Sequence, residues 1–181
     1  KSRDVVFRGH QARLLAATYS PDASRVLTVS GDNTARVWDR ATGNSLVELK
    51  GHEWAVLCGQ FAADGKRVIT GSRDGTARIW NAQTGEQLVT LEGHTAAITS
   101  VAIAPDGTRA LTGSQDNTAK LWDAATGKEI LSLPGHTQEL TSVSFSPDGR
   151  SVLTSSRDGT AIIWLATDWR DEKMAGALRA P

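Results

Sequence analysis

Residues 9–50 read GHQARLLAATYSPDASRVLTVSGDNTARVWDRATGNSLVELK. Within them, Val26-Leu27-Thr28-Val29 and Ala35-Arg36-Val37-Trp38 are rich in β-branched and aromatic residues. Gly31-Asp32-Asn33, all turn formers, separates the two runs, so the pattern predicts a β-hairpin. A further strand-like run, Leu14 to Tyr19, precedes the hairpin and ends at Pro21-Asp22; another, Ser45 to Leu49, follows Thr42-Gly43. The stretch is therefore one sheet of four short antiparallel strands.

The same stretch recurs. Gly-His stands at Gly9-His10, Gly51-His52, Gly93-His94 and Gly135-His136, always 42 residues apart. Trp38, Trp80, Trp122 and Trp164 keep that step, as do Asp32, Asp74, Asp116, Asp158 and Thr28, Thr70, Thr112, Thr154. First strands recur at Val56 to Phe61, Ile98 to Ile103 and Leu140 to Phe145; fourth strands recur at Gln87 to Leu91 and Glu129 to Leu133. A four-stranded sheet with two apolar faces cannot bury both alone, so the copies must stack on one another. Radial stacking into a ring leaves no bare end. The fold class expected is all-β, a β-propeller with four blades per chain.

Composition narrows the partners. Over 181 residues, 39% are apolar, enough for a packed core. Twenty basic and twenty acidic side chains balance to zero net charge, so no long-range field draws the chain to nucleic acid or to an anionic membrane. The single cysteine, Cys58, excludes an internal disulfide and a Cys-rich zinc cluster, and is expected as a reduced, partly buried apolar group. No apolar run is long enough to span a bilayer, and none follows Lys1-Ser2-Arg3-Asp4 as a signal peptide would. A cytoplasmic location is expected on that basis.

The ordered set Gly-His, Ser-Pro-Asp-Gly, Ser-Arg-Asp-Gly-Thr-Ala and Trp-Asp resembles the WD-repeat signature across residues 4–165. The resemblance implies a hydrogen-bonded chain in each blade, linking the His before the first strand, the Thr of the second, the Asp of the turn and the Trp of the third. Transferred by position, the sets are His10, Thr28, Asp32, Trp38; His52, Thr70, Asp74, Trp80; His94, Thr112, Asp116, Trp122; and His136, Thr154, Asp158, Trp164. Asp, His and Thr together also evoke a nucleophilic triad, but a catalytic set is needed once, and this one recurs with the fold. All four histidines are used by it. No catalytic residue, metal site or cofactor is expected, since no Gly-rich phosphate loop or metal-spaced cluster occurs.

The resemblance further implies a non-catalytic scaffold for proteins or peptides. Its partners would dock on the rim formed by Arg13 and Leu15, Ala55 and Leu57, Ala97 and Thr99, Glu139 and Thr141, with Gly31, Arg73, Gln115 and Arg157. Arg73 and Arg157 stand out because a guanidinium engages a carboxylate through two parallel hydrogen bonds. Two other readings are a non-catalytic appendage of a larger signalling enzyme and an architectural module without a dedicated ligand.

The domain plan follows from the phase of the repeat. Blade one spans 10–50, blade two 51–92, blade three 93–134 and blade four 135–165. Blade four lacks an outer strand, because Leu165 stands where Trp-Asp would continue and no Thr-Gly turn follows. An orphan strand at 4–8, Val5-Val6-Phe7-Arg8, stands where every other copy has its fourth strand. In the WD-repeat family, rings of seven or eight blades are usual. The resemblance implies that this N-terminal strand completes the sheet of the last blade, and two accounts of closure stand: two chains forming one eight-bladed ring, each N-terminal strand finishing the other's last blade, or a longer polypeptide supplying further blades. For the tail at 166–181 two readings stand, a short helix from Thr167 capped by Thr167 or Asp168 and anchored by Trp169, or a frayed terminus.

Overall fold

The computed structural model describes residues 4–165, and the regular structure within them is entirely strand. Blade one is β1 (Leu14–Tyr19), β2 (Arg25–Ser30), β3 (Thr34–Asp39) and β4 (Ser45–Lys50). Blade two is β5 (Val56–Phe61), β6 (Arg67–Ser72), β7 (Ala77–Asn81) and β8 (Gln87–Leu91). Blade three is β9 (Ile98–Ile103), β10 (Arg109–Ser114), β11 (Ala119–Asp123) and β12 (Glu129–Leu133). Blade four is β13 (Leu140–Phe145), β14 (Ser151–Ser156) and β15 (Ala161–Leu165). Each is an antiparallel meander; three blades have four strands and the last has three. The expected tail helix from Thr167 lies outside the described residues.

The turn between the second and third strands shows why the repeat tolerates two spellings. Asn33 and Asn117 take φ of 69° and 71°, and the matching Gly75 and Gly159 take 83° and 84°. Only Gly, or Asn with its short polar side chain, enters this left-handed region cheaply.

Blades stack in chain order, with first strands β1, β5, β9 and β13 in neighbouring contact. Between blades one and two lie Leu27, Val29, Val37, Val56, Phe61 and Trp80. The equivalent core between two and three contains Ile69, Ile79, Ile98, Val101 and Trp122, and that between three and four contains Leu111, Leu121, Leu140, Val143 and Trp164. The second strands β2, β6 and β10 are buried on both faces, which explains their apolar runs where a one-sided sheet would alternate. Each buried indole contributes about 4–6 kcal/mol of gross transfer free energy.

Interior fit depends on exchanging size across an interface. Val29 of blade one meets Gly59 of blade two, where a Cβ would lie 3.0 Å from Val29 Cγ1. At the next interface the sizes are reversed: a Cβ on Gly71 would lie 2.5 Å from Ile98 Cγ2 and 2.9 Å from Val101 Cγ1. Gly113 and Val143 repeat this second arrangement. Interiors are close-packed, so one large residue is accommodated only where its partner is small.

Val5–Arg8, expected as a strand, has no sheet partner among the described residues. It nonetheless lies against blade one as the outer strands of blades one and two lie against their successors. A Cβ on Gly43 would meet Val5 Cγ1 at 3.0 Å and Val6 O at 3.1 Å. On Gly85 it would meet Val47 Cγ1 at 2.8 Å and Glu48 O at 3.1 Å, and on Gly127 Val89 Cγ1 at 2.8 Å and Thr90 O at 2.6 Å. Phe7 likewise packs on Trp38, ring centroids 5.6 Å apart.

Candidate functional site

The four residues of each expected set are in hydrogen-bond contact. In blade one, Trp38 Nε1 donates to Thr28 Oγ1 at 2.7 Å; His10 Nε2 lies 2.8 Å from Thr28 Oγ1, and His10 Nδ1 2.8 Å from Asp32 Oδ2. Blades two, three and four repeat this with every distance between 2.7 and 3.0 Å. The polarity follows from chemistry. An ionised carboxylate only accepts, so Nδ1 carries the proton and Nε2 must accept from the threonine hydroxyl, which in turn accepts from the indole.

Electrostatics agree with that polarity. Burial works to raise the Asp32, Asp74 and Asp116 carboxyls, but hydrogen bonds from Thr34, Thr76 and Thr118 and from the histidines outweigh it and hold them below the usual carboxylate range. Burial pushes His52 and His94 down, against the opposing pull of Asp74 and Asp116, favouring neutral imidazoles. The hydroxyls of Thr28, Thr70, Thr112 and Thr154 are sealed from solvent and committed at both ends, so they have no access to a substrate. Each set braces its blade.

Two further residues per blade join this brace and were not singled out from the sequence. Thr34, Thr76, Thr118 and Thr160 each donate to the second carboxylate oxygen of the turn Asp at 2.6–2.7 Å. Ser30, Ser72, Ser114 and Ser156 donate to carbonyls in the loop before the first strand and accept from the Asp backbone N–H. Both keep the 42-residue step, which was the signal available for finding them.

The braced loops carry the predicted rim. In every blade the residue before the turn Asp donates its backbone N–H to the carbonyl of the residue just before the first strand: Gly31 to Arg13, Arg73 to Ala55, Gln115 to Ala97 and Arg157 to Glu139, at 2.9–3.0 Å. Arg13, Arg73, Gln115, Thr141 and Arg157 are exposed. Leu15 is half-buried against the core between blades one and two, and Leu57 is half-buried. Thr99 donates to the Leu140 carbonyl at 2.7 Å, tying blade three to blade four. Thr141 shares a hydrogen bond with Ser155.

The two arginines differ. Arg157 is held by Glu139, Nε to Oε1 2.8 Å, so its charge is matched within its own blade. Arg73 has no side-chain partner among the described residues; its loop adjoins the one carrying Trp54, which is 59% exposed and whose carbonyl accepts from Ser72. Among the described residues no group of His, Cys, Asp and Glu is arranged to hold a metal ion. The Cys58 sulfur is enclosed beside the Gly71 and Ile98 carbonyls, and burial pushes its thiol up to about 12.

Stacked antiparallel meanders, three of four strands and one of three among the described residues, each braced by one His-Thr-Asp-Trp chain, define a β-propeller blade array. The chain belongs to the WD40 family, described as WD domain, G-beta repeat, whose model matches residues 2–39, 43–81, 85–123 and 127–164. These matched repeats are offset from the blades: the second, third and fourth begin just before an outer strand, at 43, 85 and 127, and all four end on the third strand of a blade. Of the many solved structures that match, one is the crystal structure of the computationally designed Ika4 protein, 34% identical with a TM-score of 0.81. The match covers 91% of this chain and 98% of that one. Among curated protein sequences none matches.

Proposed function

We propose that the chain is a non-catalytic platform that binds a protein or peptide segment on the rim, with Arg73 and Trp54 as anchors. The observation that carries this reading is their placement: an exposed guanidinium without an internal partner and an exposed indole, on two neighbouring loops joined by the Ser72 and Arg73 hydrogen bonds to the Trp54 and Ala55 carbonyls. Anchors of this type are enriched at binding hot spots, because aromatic and Arg side chains combine apolar area with directional hydrogen bonds. The matching ligand has a carboxylate and an apolar side chain close together. A peptide fits this better than a polyanion does, because twenty acidic side chains balance the twenty basic ones.

A second protein partner is proposed at the ends of the arc: another copy of this chain, completing the ring. The rim reading is tested by probing immobilised peptides, acidic-aromatic and neutral, with the wild-type chain and with Arg73→Ala and Trp54→Ala. Selective binding of the acidic-aromatic set, lost in both variants, is expected. Equal binding by wild type and variants would contradict it.

A further inference from the structure

The repeats differ from one another at three rim positions, and the differences gather at one place, the seam where blade two meets blade three. The first is apolar. The loop before β5 carries Trp54, 59% exposed, where the other blades carry Ala12, Ala96 and Gln138.

The second difference leaves a cation unmatched. Blades two and four share an arginine before the turn Asp, and Arg73 and Arg157 donate their backbone N–H groups to the carbonyls of Ala55 and Glu139. In blade four the residue so bonded is also the ionic partner, Glu139 Oε1 lying 2.8 Å from Arg157 Nε. Blade two has alanine at that position, so Arg73 stands on the same backbone frame with no carboxylate to meet it.

The third leaves a carbonyl unmatched. The residue after the turn Asp is Asn33 in blade one and Asn117 in blade three, and each reaches across to the next blade. Asn33 Nδ2 donates to the Glu53 carbonyl at 3.0 Å, and Asn117 Nδ2 to the Thr137 carbonyl at 3.5 Å. At the seam between blades two and three the turn residue is Gly75, and the corresponding Thr95 carbonyl accepts no hydrogen bond among the described residues. The backbone there would accept asparagine, since Gly75 has φ of 83° against 69° and 71° at Asn33 and Asn117. A Cβ on Gly75 would stand 3.5 Å from the His94 and Ala96 carbonyl oxygens, an ordinary contact distance.

The other blades therefore act as templates for what this seam lacks: a carboxylate for Arg73, on the pattern of Glu139 with Arg157, and an amide N–H for Thr95, on the pattern of Asn33 with Glu53. Arg73 and Gly75 belong to one turn, and that turn bridges two loops. Ser72 and Arg73 bond the Trp54 and Ala55 carbonyls on one side, and Gly75 adjoins His94 and Ala96 on the other. The order along the rim is Trp54, Arg73, Thr95.

Resting on the reading that the rim binds a peptide at Arg73 and Trp54, we propose that this seam selects peptides in which an acidic residue lies between an apolar residue and an Asn or Gln. The apolar side chain covers Trp54, the carboxylate accepts from the Arg73 guanidinium, and the carboxamide donates to the Thr95 carbonyl. Gly75 is the specificity-determining residue, because its missing side chain leaves that carbonyl to the ligand. Arg73 plays the same part for the carboxylate, because Ala55 leaves it unpaired.

The test is titration calorimetry with two peptides that carry the apolar and acidic residues and differ only in having Asn or the similarly shaped Leu at the amide position. The Asn peptide is expected to bind the wild-type chain about three- to tenfold more tightly, the net worth of one hydrogen bond. Gly75→Asn, which gives blade two the residue of blades one and three, is expected to bind both peptides alike, at the affinity of the Leu peptide. Ala55→Glu, which gives it the residue of blade four, is expected to bind peptides with and without the acidic residue alike. Urea midpoints of the variants check their folding, and where a variant does not fold the peptide pair on the wild-type chain decides alone. Equal affinity of the Asn and Leu peptides for the wild type, with binding still lost in Arg73→Ala, would overturn the amide selection and leave the rim reading standing. Undiminished preference for Asn in folded Gly75→Asn would overturn it equally. Failure of the wild type to bind either peptide would overturn both.

Discussion

Replacing Thr112 by Val tests whether the repeated hydrogen-bond chain holds the blade together. Valine keeps the shape of threonine, so packing around β10 changes little, and the loss is confined to the hydroxyl. That hydroxyl donates to His94 Nε2 at 2.7 Å and accepts from Trp122 Nε1 at 2.8 Å, in a site with no solvent access. Two buried polar atoms are left without partners at about 1–3 kcal/mol each, giving a predicted destabilisation of about 2–6 kcal/mol. Urea unfolding followed by tryptophan fluorescence reads the effect, with Thr118→Val as comparison. Thr118 bonds the ionised Asp116 at 2.6 Å but leaves the His94–Trp122 link intact, so its loss should be smaller. A shift below about 0.5 kcal/mol for Thr112→Val, the range of ordinary surface changes, would refute the reasoning.

Three other outcomes follow. His52 and His94 have folded values lowered by burial, so the unfolded chain binds more protons below its ordinary value near 6.5. Their contribution to stability is complete above that pH and declines as pH falls toward the folded values. The lowered Asp74 and Asp116 add a second loss below the ordinary carboxylate range; a flat urea midpoint from pH 8 to pH 5 would count against neutral buried imidazoles. Leu153→Lys, at a site exposed in the single chain, should cost the fold less than about 0.5 kcal/mol. It should also remove about 1.5–3 kcal/mol of apolar burial at each of two interfaces, weakening the dimer at least a hundredfold on dilution. Arg73→Ala should weaken peptide binding about ten- to a hundredfold through loss of a charge-assisted hydrogen bond, measured by titration calorimetry, with Arg157→Ala having a smaller effect because Glu139 already holds that side chain.

Much of the fold was legible because the repeat is written in residues whose chemistry is local. His10, Thr28, Asp32 and Trp38 belong to one blade, and the family resemblance links them, Thr28 and Trp38 on adjoining strands and His10 and Asp32 in the loop and turn beside those strands. Thr34 and Ser30 keep the same rhythm, yet common residues attract less notice than Trp or His. Interactions between blades were harder to read. That Thr99 would donate to the Leu140 carbonyl, or that Val29 would be matched by Gly59, depends on how two sheets stack across a chain separation of tens of residues. The Arg157–Glu139 pair was hidden for another reason: a side-chain choice between solvent and a neighbouring carboxylate leaves no periodic trace. Among the described residues the last sheet has three strands, and Val5–Arg8, read from the phase of the repeat as an outer strand, sits against blade one as the outer strands of blades one and two sit against their successors.

The claim on which the rest depends is that this arc of four blades is half of a ring. Light scattering coupled to size-exclusion chromatography measures it directly. A single species at about twice 19.3 kDa, persisting on dilution into the micromolar range, is the predicted result. A folded species at 19.3 kDa throughout would contradict it.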